Sequence, residues 1–215
     1  MQNNKVTVHI EFISDYICPW CYIGKARLGR VKELVKEEID LEIEVKPFLL
    51  YPKIPKGGVA KEVFAKKTKL GMGRSLKMEA AAENLTLSYQ KIERIPASFE
   101  AHRLTTLVET NLLKFELAKR IFYGYFEEGA DIENHDFLID QAKSVGVEKK
   151  TIGEFFATDA GKLATEEAIK ASKNAFISVV PTMRLDHQFV VPGLQSIDVW
   201  ENYIRRAAEI QKKAM

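Results

Sequence analysis

Near the start of this chain apolar and polar positions alternate, with Val6, Val8, Ile10 and Phe12 on one side and Thr7, His9, Glu11 and Ile13 on the other. A repeat of two is the period of a β-strand, so a strand is predicted from Val6 to Ile13, followed by the turn Ser14-Asp15-Tyr16-Ile17. The period then changes. Pro19 suits the first turn of a helix, where its missing N–H is not needed, and Leu28, Val31, Leu34 and Val35 follow at helical spacing. Leu41, Ile43 and Val45 alternate with Glu42, Glu44 and Lys46 as far as Pro47, which predicts a second strand with one wet face, suited to a sheet edge.

From about Val59 to Asn174 helical patterning takes over, broken at Gly71-Met72-Gly73, Ile95-Pro96, Glu128-Gly129-Ala130 and Gly146. Asn134 ahead of Asp136-Phe137-Leu138-Ile139, with Gly146 beyond Val145, predicts a capped helix of about three turns. The strand pattern returns at Phe176-Ile177-Ser178-Val179-Val180 and continues after Pro181 as a hairpin. Thr182 to Leu185 pairs with Gln188 to Val191 around Asp186-His187, which is not the favoured turn pair. Ser196 then caps a last amphipathic helix carrying Ile197, Trp200, Ile204 and Ala208. The order is β-α-β, a helical block, then β-β-α, an α/β fold.

Hydrophobic residues make up 46% of the 215, enough for an ordinary buried core. The net charge of +2 exerts no general pull toward nucleic acid or a membrane, so neither is expected as a partner. Charge is nonetheless uneven. Residues 53–77 hold eight basic groups and one acid, Glu62, whereas 121–140 hold six acids and no Lys or Arg. Two solvated faces that attract one another would account for this, as would a surface for an acidic partner. Met-Gln-Asn-Asn-Lys leads directly into the first strand without a charged n-region or apolar h-region, and no apolar run approaches the ~20 residues of a membrane helix. A cytoplasmic location is expected.

The chain's two cysteines both lie in Cys18-Pro19-Trp20-Cys21, after a strand and at the start of a helix. Spacing and helix start together let one sulfur attack a disulfide and the other close a ring, which is redox exchange. A structural zinc half-site would need two more ligands. No cysteine remains, and His9, His102, His135 and His187 lack the spacing, so no metal is expected. A regulatory disulfide without turnover is the other reading.

At Cys18-Pro19-Trp20-Cys21-Tyr22-Ile23-Gly24, with Val180-Pro181-Thr182 and Gly193-Leu194-Gln195, the chain resembles the DsbA-like thioredoxin superfamily. Within it the resemblance is to the FrnE-like branch, which includes 2-hydroxychromene-2-carboxylate isomerases and kappa-class glutathione transferases. Ala101-His102-Arg103-Leu104 and residues 121–126 look like that branch's helical insertion. The resemblance implies a thioredoxin fold built from residues 1–58 and 175–215, interrupted by a large all-helical insertion at 59–174. Isomerase and transferase members typically carry serine where Cys18 stands. The intact pair therefore favours a thiol:disulfide oxidoreductase or isomerase acting on protein or small-molecule disulfides, with a thiol reductant as its second partner. A glutathione-dependent isomerase or transferase is one alternative, and a redox-sensing or chaperone-like binding protein is another. No cofactor is obligatory in the leading reading; glutathione is the one small thiol it admits.

The expected roles are these. Cys18, facing unpaired N–H groups at the helix start, is the attacking sulfur, and Cys21, one turn on and buried, is the resolving one. Pro181 looks like the family's cis-proline, leaving the Val180 backbone free to pair with an extended substrate; an ordinary proline leading into a strand is the alternative. Pro19, Trp20, Val180 and Thr182 are expected to form the substrate-binding surface. Glu11 stands where related folds often keep a buried carboxylate, which with a raised pKa would accept the Cys21 proton; an exposed strand glutamate is the alternative. His102 and Arg103 are expected to be packing or surface groups.

Overall fold

The computed structural model describes residues 5–68 and 73–214. Residues 1–4, the Gly71-Met72 break, Lys69 and the Lys67 side chain of the basic stretch lie outside that description. The chain runs β1 (Val6–Ser14), α1 (Pro19–Val35), β2 (Ile39–Pro47), β3 (Val59–Ala60), α2 (Lys61–Thr68), α3 (Arg74–Ala82), β4 (Arg94–Ile95), α4 (Phe99–Leu107) and α5 (Asn111–Tyr123). A π-helical turn, Gly124–Glu128, extends α5. Then come α6 (His135–Ser144), α7 (Lys149–Phe156), α8 (Lys162–Asn174), β5 (Thr182–Leu185), β6 (Phe189–Pro192) and α9 (Ile197–Ala214).

Four strands form one mixed sheet in the order β2-β1-β5-β6. β1 runs parallel to β2 and antiparallel to β5, which turns back into β6. With α1 between β1 and β2 and α9 after β6, this is the thioredoxin arrangement. β2 lies at the sheet edge, as its wet face predicts, and it ends at Pro47. The main hydrophobic core joins the sheet to the helices that follow β2, with a smaller cluster at Ile23, Leu76 and Ala80. Val8, Ile10, Leu28, Leu104, Leu117, Ile121 and Trp200 are all within the main core and almost fully buried. Asn134 caps α6 as expected, its side chain accepting from the N–H groups of Asp136 and Phe137.

Three local patterns differ from the sequence expectation. The β3–β4 ladder lies inside the stretch that reads as helical, because two-residue strands are too short to show a period. Leu34 is 55% exposed and does not join the α1 core stripe. Residues 176–180 are not a strand: Phe176 takes φ +57°, a left-handed conformation incompatible with pleated backbone, and its side chain projects into solvent. The unfavoured Asp186-His187 turn does form, with both residues at positive φ. It is held in place because the Asp186 Oδ1 accepts a hydrogen bond of 2.9 Å from the His9 N–H in β1.

Candidate active site

β1 and α1 are separated by only four residues, and that turn is where the chemistry-bearing groups gather. Cys18 is the N-cap of α1, in extended conformation, and its N–H donates to the Asp15 carbonyl at 3.0 Å. Its own carbonyl accepts from the N–H groups of Cys21 and Tyr22. Pro19 opens the helix and no acidic side chain occupies the first turn, so the positive end of α1 is not neutralised there. Both thiols are free and buried, Cys18 at 2% exposure and Cys21 at 0%.

A second segment from far along the chain meets this turn. The Cys18 thiol donates to the Val180 carbonyl at 3.7 Å, and the Val180–Pro181 peptide is cis. Thr182 is buried, and its hydroxyl donates to the Val179 carbonyl at 2.7 Å, which ties the approach to β5. α1 comes this close because residue 24 is glycine: a Cβ there would stand 3.0 Å from the Pro181 ring and 3.3 Å from Trp200. Of the residues expected from sequence, Cys18, Cys21, Val180, Pro181 and Thr182 are thus brought together, with Pro19 and Trp20 half-buried beside them on the first turn of α1.

Burial pushes the Cys21 thiol well above its ordinary range, and the adjacent Cys18 sulfur pushes it the same way. A backbone hydrogen bond from Asp15 acts against this, and the Asp15 charge adds to it. A carboxylate whose charge reaches Cys21 is thus that of Asp15. It is fully buried; Oδ1 accepts from the Ile17 N–H at 3.3 Å and Oδ2 from the Leu50 N–H at 2.6 Å. Among the described residues no Lys or Arg pairs with it. His102 of α4 approaches it, with Nε2 3.6 Å from Oδ1 and without a hydrogen-bond partner. The Tyr16 ring lies tilted against His102 with centroids 4.6 Å apart, and its hydroxyl shares a 2.9 Å hydrogen bond with Thr105.

Glu11 is a different kind of group from the one expected. Neighbouring side chains of a strand point to opposite faces, and Phe12 packs toward α1, its ring 3.4 Å from the space above Gly24. Glu11 consequently faces away from the cysteine helix. Its cross-strand partner on β5 is Arg184, which binds its carboxylate, with Lys46 at 3.9 Å and His187 at 3.6 Å. Burial alone would raise its pKa, but the Arg184 hydrogen bond and charge, joined by Lys46 and His187, outweigh burial and hold it below the ordinary 4.5. A carboxylate held in its charged form by an arginine does not match the raised-pKa proton acceptor.

Sequence reasoning also missed Tyr51. Burial raises its hydroxyl pKa, with further contributions from Cys18 and Asp15, which locates it beside the cysteine turn; its ring meets Phe64 edge to face at 4.7 Å. Asp15 carried one usable signal, its place three residues before Cys18, but an aspartate in a turn is ordinarily there for local hydrogen bonding. Tyr51 and His102 carried none, because only the fold brings β2's exit and α4 to this turn. Two grooves lie elsewhere, one of about 780 Å³ around Phe99, His135 and Phe156 and one of about 750 Å³ along α1.

A family model described as a DSBA-like thioredoxin domain matches residues 9–205. The uncharacterised protein YwbO of Bacillus subtilis is 27% identical over 220 residues, covering 97% of this chain and all of YwbO. Among solved structures, the probable DsbA oxidoreductase of Streptomyces coelicolor superposes with a TM-score of 0.82 at 22% identity, covering 93% of this chain and 89% of that one. A 2-hydroxychromene-2-carboxylate isomerase superposes with a TM-score of 0.71 at 16% identity, over 96% of this chain and 99% of its own. At these identities the two superpositions establish the fold.

Proposed function

The chain belongs to the DsbA-like thioredoxin family, and from that premise we propose that it is a thiol:disulfide oxidoreductase or isomerase using Cys18 and Cys21 on protein or small-molecule disulfides. The observation that carries this reading is the pair of free thiols one turn apart at the start of α1, with Cys18 against the Val180 carbonyl. In the forward direction the Cys18 sulfur attacks a substrate disulfide, forming a mixed disulfide as one substrate thiolate leaves. Cys21, once deprotonated, attacks the Cys18 sulfur; the second substrate thiol departs and the protein is left oxidised. A thiol reductant, glutathione among the candidates, returns both cysteines to thiols by the reverse steps.

Cys21 must lose its proton in a place where burial opposes the thiolate. We assign the acceptor role to Asp15, whose side chain is buried at the cysteine turn and is held by backbone N–H groups, with no Lys or Arg paired to it among the described residues. Val180 and Thr182 would flank an extended substrate, with Pro19 and Trp20 opposite. In the same reading residues 59–174 act as a wall that selects substrate, supported by the packing of Tyr22 on Phe122 and Phe126 and of Tyr16 on His102. No helix among the described residues is long and apolar enough to cross a membrane.

The test is turnover of insulin disulfides with a thiol reductant, alongside trapping in single-cysteine variants. Cys21→Ala should accumulate a mixed disulfide at Cys18, and Cys18→Ser should abolish both trapping and turnover. Turnover that survives Cys18→Ser, or a mixed disulfide that forms only at Cys21, would overturn the assignment.

A further inference from the structure

Lys25 lies one helical turn beyond Cys21 on α1, yet it is only 5% exposed. Its amine makes no hydrogen bond or ion pair among the described residues and rests over the Phe115 ring, 4.1 Å from the centroid. A lysine buried in this way is uncommon without a carboxylate partner. It opens onto the 750 Å³ groove along α1, whose apolar walls include Tyr22, Leu85, Leu112 and Phe115. Glu33 on the groove is taken by Lys36, and Glu83 by Arg27 and Arg30. The charged lining groups left without an ion-pair partner are then Lys25, Lys32 and Lys119, against Glu116 alone. Burial pushes the Lys25 amine down to about 8; Lys119 acts the same way and Glu116 opposes it.

A seated amine above an aromatic floor, at the base of a groove with spare positive charge, is a nucleophile placed to select anionic electrophiles. We propose that Lys25 is a covalent docking site for a small aldehyde bearing an anionic group, held as an imine on Nζ with its anion toward Lys119 and Lys32. The neutral amine adds to the carbonyl carbon to give a carbinolamine. Loss of the hydroxyl as water then breaks the C–O bond as the C=N bond forms. Amine and aldehyde become imine and water, no electrons change hands, and Glu116 is the carboxylate of the groove available to carry the proton from nitrogen to the departing hydroxyl. The site does not involve the cysteines and stands apart from the disulfide chemistry.

At pH 7.5 an amine titrating near 8 holds roughly two hundred times the neutral fraction of an ordinary lysine. After allowance for the lower nucleophilicity of a weaker base, a rate advantage of about tenfold remains. The experiment treats the wild-type chain with glyoxylate and cyanoborohydride at pH 7.5 and maps carboxymethyl-lysine by peptide mass, with acetaldehyde as the uncharged comparison. Lys25 should be labelled by glyoxylate about tenfold faster than the exposed Lys150 and Lys162. Lys119→Ala should lower glyoxylate labelling of Lys25 several-fold and acetaldehyde labelling less, because both lose the part of the amine's lowered basicity that Lys119 supplies and only glyoxylate loses a counter-charge. Labelling of Lys25 no faster than that of Lys150 would overturn the site. Equal preference for glyoxylate and acetaldehyde, relative to the exposed lysines, would overturn its anionic ligand class.

Discussion

Glu11 and Asp15 stand four residues apart, both carboxylates are buried, and the fold uses them in opposite ways. Glu11 lies in β1 directly opposite Arg184 of β5, so the register of two antiparallel strands delivers a guanidinium to it. Asp15 lies just past the end of β1, where backbone N–H groups from Ile17 and Leu50 satisfy its oxygens and the cysteines are its neighbours. A carboxylate locked to a cation is structural ballast for the sheet, since taking a proton would mean giving up the ion pair. Asp15 is instead satisfied by neutral backbone donors, with no Lys or Arg paired to it among the described residues. Burial near a CxxC therefore does not identify an acid–base group; the partner does.

The largest break in this comparison should come from Asp15→Asn. It keeps the shape and removes the acceptor, so resolution of the mixed disulfide should slow by about 100-fold, the scale of general acid–base catalysis. Rapid-quench single turnover would show the intermediate accumulating while the first attack proceeds at its normal rate. If Glu11→Gln slowed resolution equally, the distinction between the two acids would collapse.

Glu11→Gln should instead act on stability. It leaves Arg184 without its counter-charge in a partly buried setting, which should cost about 2 kcal/mol, read from the urea midpoint, with single-turnover rates unaltered. Acid sharpens the same point. The folded-state pKa of Glu11 lies below its ordinary 4.5, so its contribution is present above pH 4.5 and disappears as pH falls through the lower folded value. The stability gap between wild type and Glu11→Gln should accordingly be constant at neutral pH and close below pH 4.5. A gap that widened in acid would contradict the ion-pair account.

The smallest effect is expected from Thr105→Val, which removes the partner of the buried Tyr16 hydroxyl beside Asp15. A loss of about 1 kcal/mol in chemical denaturation, without a change in resolution rate, would show that the surroundings of Asp15 support it and do not act in the chemistry.

Much of the framework was legible in the chain itself. The two-residue period of β1 and β2, the Asn134 cap of α6 and the apolar spacing of Trp200, Ile204 and Ala208 on α9 are local signals, and local geometry obeyed them. The placement of the two cysteines was equally legible, because their spacing and Pro19 put them at the start of a helix. Phe176 escaped because a β-like string of residues gives no warning of a left-handed backbone angle imposed by the chain reversing after α8. Glu11 misled because alternation along a strand tells which residues share a face but not what covers that face.

The amino-acid order by itself determined the β1-α1-β2 start, the α6 cap and the place of the two cysteines at a helix start, since each depends on residues a few positions apart. That Arg184 meets Glu11 across 173 positions, and that Val180 meets Cys18 across 162, were decided only by the tertiary structure. Strand register and helix packing set those meetings, and both minimise the free energy of the whole core, so no single segment contains the information that places them.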